Sequence, residues 1–315
     1  MKIIDGTGNS LLVSKISKHL HVPIVESDIH YFGDGEISIE IFENMRGEDT
    51  FIIQSMSHPV NDNLMKLILI IDTLKRASAK TINVVCPYLC YSRQDRKAGP
   101  RTPISARVVA DMISFSGAHR VLTIDLHAEQ IQGFYTNTVV DNLYGSIVFK
   151  NIIKNMIKET FTPNNTVIVA PDVGGVKRAR IIAEFIDVPI CVIEKRRPKA
   201  GECESMKVIG DPFHKNCMIV DDIIDSGKTI CKAAELLKQM GANSISIFVT
   251  HGVLSNGATE RLENSCVDKI FLSNTLDNSH KFLKCNKFEI IDFSELISNA
   301  ILCISRNESI SELFT

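Results

Sequence analysis

The sequence predicts an α/β protein with two mainly parallel sheets, each flanked by helices. Apolar strands alternate with amphipathic helices along the whole chain, which is the pattern of parallel sheets covered on both faces. A helix, small residues and a strand follow one another at 74–86, 112–125 and 236–249, and this recurrence in both halves indicates two related domains. At 315 residues the chain is long enough for two.

The composition excludes several classes of protein. The formal net charge is -2, so no general attraction to nucleic acid or to a membrane is expected. Nine cysteines lie scattered without metal-ligand spacing, which predicts reduced thiols and a cytoplasmic protein. The stretch Met1–Gly6 is unlike a signal peptide, and apolar runs such as Leu67–Ile71 are too short to span a bilayer.

The first half opens with strands at Lys2–Ile4 and Val22–Val25, on either side of a helix at Ser10–Leu20. Isoleucines that alternate with polar residues predict a half-buried strand at Ile37–Ile41. Apolar residues at helical spacing predict a helix at Asn61–Ala77. The other elements predicted for this half are strands at Thr50–Gln54, Thr81–Cys86 and Arg120–Asp125 and a helix at Ile104–Ser116.

A long helix at Asn142–Glu159 is predicted to join the two halves. The second half then repeats the alternation of strand and helix. Its predicted elements are strands at Thr166–Ala170, Pro189–Ile193, Ser205–Gly210, Ser244–His251, Lys269–Leu272 and Phe288–Ile291, a strand from Met218 that ends in Asp221 and Asp222, and helices at Ile230–Met240 and Glu295–Ile304.

The stretch Asp221–Thr229 is the strongest candidate site. An apolar strand ends in two adjacent carboxylates, and a short Asp-Ser-Gly-Lys-Thr turn then opens a helix. Free N–H groups at a helix start bind phosphate, and neighbouring carboxylates can hold Mg²⁺ or sugar hydroxyls, so the pattern predicts a sugar-phosphate site. A Walker A loop is excluded because Asp222 stands where that loop has its first glycine. An ordinary surface turn is the alternative.

Five other stretches lie beside predicted strands. Phe32–Glu36 is either a hairpin tip or a surface that stacks on a base. Arg93–Arg101 is a basic loop, either a solvated face or an anion site, and Glu194–Gly201 is a second one. His127 is either structural or a contact to a phosphate or a magnesium nucleotide. Asp172, which precedes two glycines and a helix, is a candidate contact to a metal or a ribose.

Two basic loops near a sugar-phosphate site indicate a reaction at phosphorus. Cations that surround a transferring phosphorus stabilise its negative charge, and Mg²⁺ bridges the phosphate oxygens. The residues therefore predict phosphoryl or diphosphoryl transfer, or displacement at a sugar carbon that bears diphosphate.

The same stretches carry a resemblance that extends over essentially the full chain. The motifs are 32–36 (FGDGE), 91–97 (YSRQDRK), 125–128 (DLHA) with 130–134 (QIQGF), 171–175 (PDVGG), 195–198 (KRRP), 220–225 (VDDIID) and 307–311 (NESIS). In this order they resemble the ribose-phosphate diphosphokinase family, also called phosphoribosyl-diphosphate (PRPP) synthetases, of the phosphate-activated bacterial type.

The resemblance implies two tandem phosphoribosyltransferase-like domains, at 1–145 and 146–315. The first would carry the adenine turn and the first basic loop, and the second the ribose 5-phosphate loop and a flexible catalytic loop, with the last helix packing back on the first domain. The implied reaction transfers the β,γ-diphosphoryl group of MgATP to the 1-hydroxyl of ribose 5-phosphate. Its products, PRPP and AMP, would serve nucleotide, histidine and tryptophan biosynthesis.

Carried over by position, the family's site residues have four roles. The residues implied are Lys195 and Arg197 for catalysis, His127 and Asp172 for Mg²⁺, Phe32, Asp34, Gly35, Glu36, Arg93, Gln94 and Asp95 for ATP, and Asp221, Asp222, Asp225, Ser226, Gly227, Lys228 and Thr229 for ribose 5-phosphate. The family further implies regulation by phosphate and ADP and assembly as a homohexamer or homodimer.

Two departures from the family pattern carry predictions. Lys228 stands where a small residue is usual, and it either adds a contact to the 5-phosphate or crowds it. Glu129 stands near the family's regulatory phosphate site, where a carboxylate repels phosphate, so weak activation by phosphate is expected.

Two other functions compete with PRPP synthesis. A PRPP-consuming phosphoribosyltransferase shares the Asp221–Thr229 loop, but it has no use for Phe32–Glu36 or His127. A non-catalytic synthetase-associated regulatory subunit is disfavoured because Lys195 and Arg197 are intact.

Overall fold

The structure is a computed structural model that describes residues 1–159, 161–196, 205–278, 280–281 and 285–314, with the backbone alone at 195, 196, 205 and 314. The chain forms two compact units. Unit 1 comprises Met1–Tyr144, Thr275–Asp277 and Phe293–Thr315, and unit 2 comprises Gly145–Asn274 and Asn278–Asp292. The division into domains 1–145 and 146–315 stays a prediction, and the last helix clusters with unit 1.

Unit 1 is built on a parallel sheet. Its elements before residue 145 are β1 (Lys2–Asp5), α1 (Ser10–Leu20), β2 (Ser27–Tyr31), β3 (Ile37–Ile41), β4 (Asp49–Ile53), α2 (Val60–Arg76), β5 (Thr81–Val85), α3 (Ser105–Ser116), β6 (Arg120–Ile124) and β7 (Val139–Leu143). The five-stranded sheet has the order β1-β4-β5-β6-β7 with parallel neighbours throughout, and β2 and β3 form a separate antiparallel hairpin.

The core of unit 1 follows the apolar periodicity. Leu64, Leu67 and Ile71 on α2 are buried together with strand residues such as Val84. The side-chain oxygen of Asn9 accepts the N–H of Leu12 at 3.2 Å and so caps the start of α1. This capping bond explains why α1 begins at Ser10, as the sequence predicts.

Unit 2 contains a larger sheet. Its elements are α4 (Ser146–Glu159), β8 (Thr166–Ala170), α5 (Val176–Ile186), β9 (Ile190–Arg196), β10 (Ser205–Ile209), β11 (Asn216–Ile224), α6 (Lys228–Gln239), β12 (Ser244–Gly252), α7 (Ala258–Glu263), β13 (Lys269–Ser273) and β14 (Phe288–Ile291). The order is β10-β9-β8-β11-β12-β13-β14, antiparallel between β10 and β9 and parallel elsewhere. Two mainly parallel sheets with flanking helices confirm the predicted fold class.

The last helix, α8 (Ser294–Arg306), belongs to unit 1 although it follows unit 2 in the chain. Its buried face includes Leu296, Ile297 and Ile301, and the helix packs against α1. Residues from both ends of the chain therefore complete unit 1.

Two element predictions were wrong. Val22–Val25 forms no strand and contributes a single bridge, between Ile3 and Ile24. The helix predicted from Asn142 begins at Ser146, because Val139–Leu143 pairs in parallel with β6 as an edge strand. Asp141 and Asn142 interrupt the apolar run in this edge strand, whereas the other strands have continuous or alternating apolar residues. The predicted strand with an acidic end is confirmed as β11, which contains Asp221 and Asp222 and continues to Ile224.

The described cysteines are free thiols, and most of them are buried. Burial raises the pKa of the Cys90 thiol to about 12, so this thiol stays protonated at neutral pH. In the described part of the chain, no helix combines the length and the apolar character needed to cross a bilayer.

Candidate active site

The sheet of unit 2 has a point where the chain reverses its direction of progress across the strands. From β8 the chain moves outward to β9 and β10, and it then returns to place β11 on the other side of β8. Ligands of open α/β sheets bind at the carboxyl ends of the strands that flank such a point. Asp172 follows β8, and Asp221–Thr229 covers the end of β11 and the start of α6.

An acid pair and one guanidinium meet at this edge. Nη1 of Arg178, on α5, lies 3.5 Å from Oδ1 of Asp221 and 3.5 Å from Oδ1 of Asp222. The N–H of Asp222 donates to Oδ1 of Asp221 at 3.0 Å. Arg178 received no role in the sequence prediction, although its place in the first turn after the Asp172 loop was a usable signal.

The acid pair brings two carboxylates to one guanidinium. Burial, followed by repulsion from Asp222, raises the pKa of Asp221 well above its ordinary value of 3.8, and Arg178 acts in the opposite direction. The carboxylate of Asp172 adds to the increase. Since Asp172 contributes to this field, the residues predicted separately as a metal contact and as ribose contacts belong to one charged cluster.

The turn between β11 and α6 has the geometry of an anion site. Gly227 caps α6 with a φ of 72°, a left-handed conformation that glycine adopts without a steric cost. The N–H of Cys231 donates to the carbonyl of Gly227 at 3.0 Å, so the helix begins at once. Lys228 and Thr229, the first two residues of the helix, are exposed. The amide groups of this first turn point out of the helix towards solvent or a ligand.

The Asp172 loop is also locally ordered. Oδ1 of Asp172 accepts the N–H of Gly175 at 3.0 Å, which fixes the carboxylate at the start of α5. The carboxylate of Asp172 is a suitable ligand for Mg²⁺, which proteins usually bind through one or two carboxylates and the phosphates of a substrate. Among the described residues, however, no group of three His, Cys, Asp or Glu side chains gathers to hold a metal on its own.

In unit 1, the predicted adenine turn is the tip of the β2–β3 hairpin. The N–H of Phe32 donates to the carbonyl of Glu36 at 2.8 Å, and the N–H of Glu36 donates to Oδ1 of Asp34 at 3.1 Å. Gly35 has a φ of 93°, which a tight turn requires. Phe32 is 54% exposed, so its ring is accessible for stacking. The hairpin tip is confirmed, and stacking of Phe32 on a base stays a prediction.

The first basic loop meets the His127 loop in unit 1. Oδ2 of Asp95 accepts a hydrogen bond of 2.6 Å from Nε2 of Gln130, three residues after His127. Gln94 accepts the hydroxyl of Ser105 at 2.5 Å, which ties the loop to the start of α3, while Arg93 remains exposed. The predicted ATP residues of this loop and the predicted metal ligand His127 thus lie on neighbouring strand ends.

The predicted catalytic pair lies largely outside the described residues. Arg197 lies outside the described residues. Lys195 belongs to β9, where it pairs with Met206 of β10, and its side chain is not described. His127 belongs to unit 1 and Asp172 to unit 2. The assignment of all these residues to catalysis, metal and substrates stays a prediction.

Comparison with known proteins identifies the chain's relatives. The profile described as the N-terminal domain of ribose phosphate pyrophosphokinase matches residues 1–117, and the phosphoribosyl synthetase-associated domain matches residues 196–315. The ribose-phosphate pyrophosphokinase of Brucella melitensis is 45% identical over 314 residues, 100% of both chains. That of Hyphomonas neptunium is 46% identical over 315 residues, 100% of this chain and 99% of the relative.

A solved structure agrees with these sequence matches. The phosphoribosylpyrophosphate synthetase from Mycobacterium smegmatis superposes with a TM-score of 0.90 at 34% identity, over 97% of this chain and 99% of that one. Similarity of this extent, across both units and in both sequence and fold, shows that the chain belongs to the ribose-phosphate pyrophosphokinase family.

Proposed function

We propose that this enzyme makes PRPP and AMP from MgATP and ribose 5-phosphate. One observation carries the proposal: the acid pair Asp221–Asp222 and the open turn Ser226–Thr229 lie side by side at the switch point of unit 2. A sugar phosphate needs this combination, because its hydroxyls donate to carboxylates while its phosphate accepts from backbone amides.

The binding roles follow from the chemistry of each group. Asp221 and Asp222 accept hydrogen bonds from the ribose hydroxyls, and Asp225–Thr229 surround the 5-phosphate. Phe32, Asp34, Gly35 and Glu36 bind adenine, and Arg93, Gln94 and Asp95 bind the rest of ATP. His127 and Asp172 would each offer a ligand for Mg²⁺, and the ion would neutralise phosphate charge.

The reaction needs position and charge neutralisation more than covalent help from the protein. The 1-hydroxyl of ribose 5-phosphate attacks the β-phosphorus of ATP in line. The bond between that phosphorus and the α,β-bridging oxygen breaks, AMP leaves with the oxygen, and the hydroxyl proton passes to solvent. Lys195 and Arg197 stabilise the negative charge on the transferring group.

Phosphate and ADP are proposed regulators, with a cavity of about 670 Å³ in unit 1 as their site. Arg120, Asn142 and Ser309 are among its lining residues. In the described part of the chain, Nδ2 of Asn142 is buried and has no hydrogen-bond partner.

Glu129 should weaken that regulation. The hydroxyl of Tyr144, which lines the cavity, donates to Oε1 of Glu129 at 3.1 Å, so a carboxylate stands beside the proposed phosphate site. We expect Glu129→Gln to raise activation by phosphate about threefold, since a neighbouring charge contributes up to about 1 kcal/mol. Tyr144→Phe, which keeps the carboxylate, is the control and should stay weakly activated. Strict dependence of the unaltered enzyme on millimolar phosphate would contradict the prediction.

Assembly and compartment are also proposals. A homohexamer or homodimer is proposed from the family, and sedimentation of the full chain tests it. The buried free thiols support a cytoplasmic enzyme, because reduced cysteines are typical of that compartment.

A product assay tests the function directly. The protein is incubated with ATP, ribose 5-phosphate and Mg²⁺, and the products are resolved by phosphorus NMR. AMP and PRPP in equal amounts are expected. ADP with a ribose bisphosphate would reassign the attack to the γ-phosphorus. Absence of reaction, with and without phosphate, would favour the non-catalytic regulatory subunit.

A further inference from the structure

We propose that the segment Val253–Arg261, here called the brace, orients the amide groups of Asp225–Thr229, here called the phosphate loop, and that Arg261 is a positioning residue for ribose 5-phosphate. The proposal rests on the proposed function. The brace follows β12 and includes the first residues of α7. None of its residues was singled out by the sequence motifs.

The brace donates hydrogen bonds to three consecutive backbone carbonyl groups. The carbonyl of Ile224 accepts the N–H groups of Val253 at 2.8 Å and Leu254 at 3.1 Å. The carbonyl of Asp225 accepts the N–H of Ser255 at 3.2 Å. The carbonyl of Ser226 accepts Nη1 of Arg261.

These bonds fix where the intervening N–H groups point. In a trans peptide the C=O of one residue and the N–H of the next point in opposite directions. Carbonyls of Ile224, Asp225 and Ser226 that face the brace therefore turn the N–H groups of Asp225, Ser226 and Gly227 away from it. Successive amides that converge in this way, next to the start of a helix, form a cup for an anion.

Side chains hold the same arrangement. The hydroxyl of Ser255 donates to Oδ1 of Asp225, which keeps that carboxylate oxygen on the brace side of the loop. Nη2 of Arg261 also reaches the carbonyl of Asn256 at 3.4 Å, so one guanidinium links the brace to the loop. A Cβ placed on Gly227 would lie 3.4 Å from Cγ of the fully buried Leu262, so α7 packs directly behind the glycine.

Arg261 is the part of the brace whose loss should affect binding most. The peptide group between Ser226 and Gly227 can rotate into either of two orientations, because Gly227 adopts both signs of φ without steric cost. Without the guanidinium, the Ser226 carbonyl is free to rotate towards the 5-phosphate, where its partial negative charge repels the ligand. Arg261 thus acts through the loop and need not touch the substrate.

Steady-state kinetics and direct binding test the proposal. We expect Arg261→Ala to raise KM for ribose 5-phosphate about tenfold or more and to weaken its calorimetric binding equally, since one charge-assisted hydrogen bond is lost. The KM for ATP should stay unchanged, and Arg261→Lys should recover part of the binding. Glu263→Ala, an exposed charge on the same helix, is the matched control and should behave like the unaltered enzyme.

The outcomes separate this proposal from the proposed function. If the unaltered enzyme neither binds ribose 5-phosphate nor forms PRPP, the proposed function fails and the brace loses its ligand. If the unaltered enzyme is active and Arg261→Ala keeps its KM for ribose 5-phosphate within about twofold, the brace proposal alone is overturned. Should Arg261→Ala fail to fold, as judged by circular dichroism, Ser255→Ala and Arg261→Lys replace it, and unchanged binding in both would overturn the proposal.

Discussion

Each unit contains a loop that joins a parallel strand to the start of a helix, and the two loops differ in what fills them. In unit 1 the loop between β1 and α1 is occupied by the protein itself. The N–H of Gly8 donates to Oε1 of Gln54 at 3.1 Å, and Nζ of Lys66 donates to Oγ1 of Thr7 at 3.0 Å. Gln54 is fully buried, so its amide stands where an external ligand could otherwise bind.

The phosphate loop of unit 2 is arranged the other way round. Its carbonyls are taken up from behind by the brace, while Lys228 and Thr229 remain exposed at the front. A strand, a glycine and a helix start are therefore not sufficient for an anion site. Whether such a loop can bind an anion depends on its amide groups: they must point outwards and must not be bonded to acceptors inside the protein.

The largest effect is expected from a substitution in the loop between β1 and α1, which Gln54 fills. A Cβ on Gly8 would lie 2.2 Å from the backbone carbonyl oxygen of Ser55, so Gly8→Ala must displace a main chain. We expect a loss of about 3 kcal/mol in the free energy of unfolding, measured by urea denaturation. A Cβ on Gly227 would meet only ordinary contacts, so the cost of Gly227→Ala comes from its left-handed φ and should be about 1 kcal/mol in the free energy of unfolding. The affinity for ribose 5-phosphate should fall as well. Equal losses of stability in both variants would contradict the comparison.

The next effect concerns the acids that accompany the open loop. Asp221→Asn should lower the rate of PRPP formation about a hundredfold, because an acceptor for a ribose hydroxyl is lost. It should also raise the free energy of unfolding at neutral pH by about 1 kcal/mol, since a half-buried carboxylate beside a second carboxylate becomes neutral. The exposed Glu289→Gln on β14 is the control for a simple change of net charge.

The stability advantage of Asp221→Asn should depend on pH in a definite direction. The folded state raises the pKa of Asp221 above 3.8, so the folded protein binds that proton more tightly than the unfolded chain. The stability contributed by the protonated group is present below 3.8 and is lost as the pH rises through the raised pKa. The advantage of Asp221→Asn in urea denaturation should therefore grow as the pH rises from about 4 to 8. An advantage that shrinks over this range would contradict the assignment.

The smallest effect concerns the residue at the front of the open loop. Lys228→Gly should keep the rate of PRPP formation and raise KM for ribose 5-phosphate by less than about fivefold, because an exposed ammonium contributes little. Lys232→Gly, in the next turn of α6, controls for the weakening of the helix by glycine. Complete loss of activity in Lys228→Gly alone would show that the lysine has become essential.

The sequence predicted the fold class and the family because both depend on local, periodic patterns. Leu64, Leu67 and Ile71 recur at helical spacing, and the acid pair follows an apolar run whatever the rest of the chain does. Edge strand β7 was missed because Asp141 and Asn142 hide its apolar pattern. Pairing with β6, which no local pattern encodes, makes it a strand.

The partners of the site residues were less predictable than the residues themselves. Arg178 and Arg261 reach the site from separate helices, and 82 residues of the chain lie between them. Which long side chain meets which carbonyl or carboxylate depends on sheet order, which places β12 beside β11. Spacing along the chain carries no such information, so the brace became visible only in three dimensions.

The clustering of α8 with unit 1 has a consequence for synthesis on the ribosome. Residues 293–315 emerge after all of unit 2, so α1 must wait for its packing partner until more than 270 later residues have been made. Unit 2 needs no residue that is made later than Asp292. A nascent chain should therefore bury the core of unit 2 first and expose the apolar face of α1 to chaperones meanwhile.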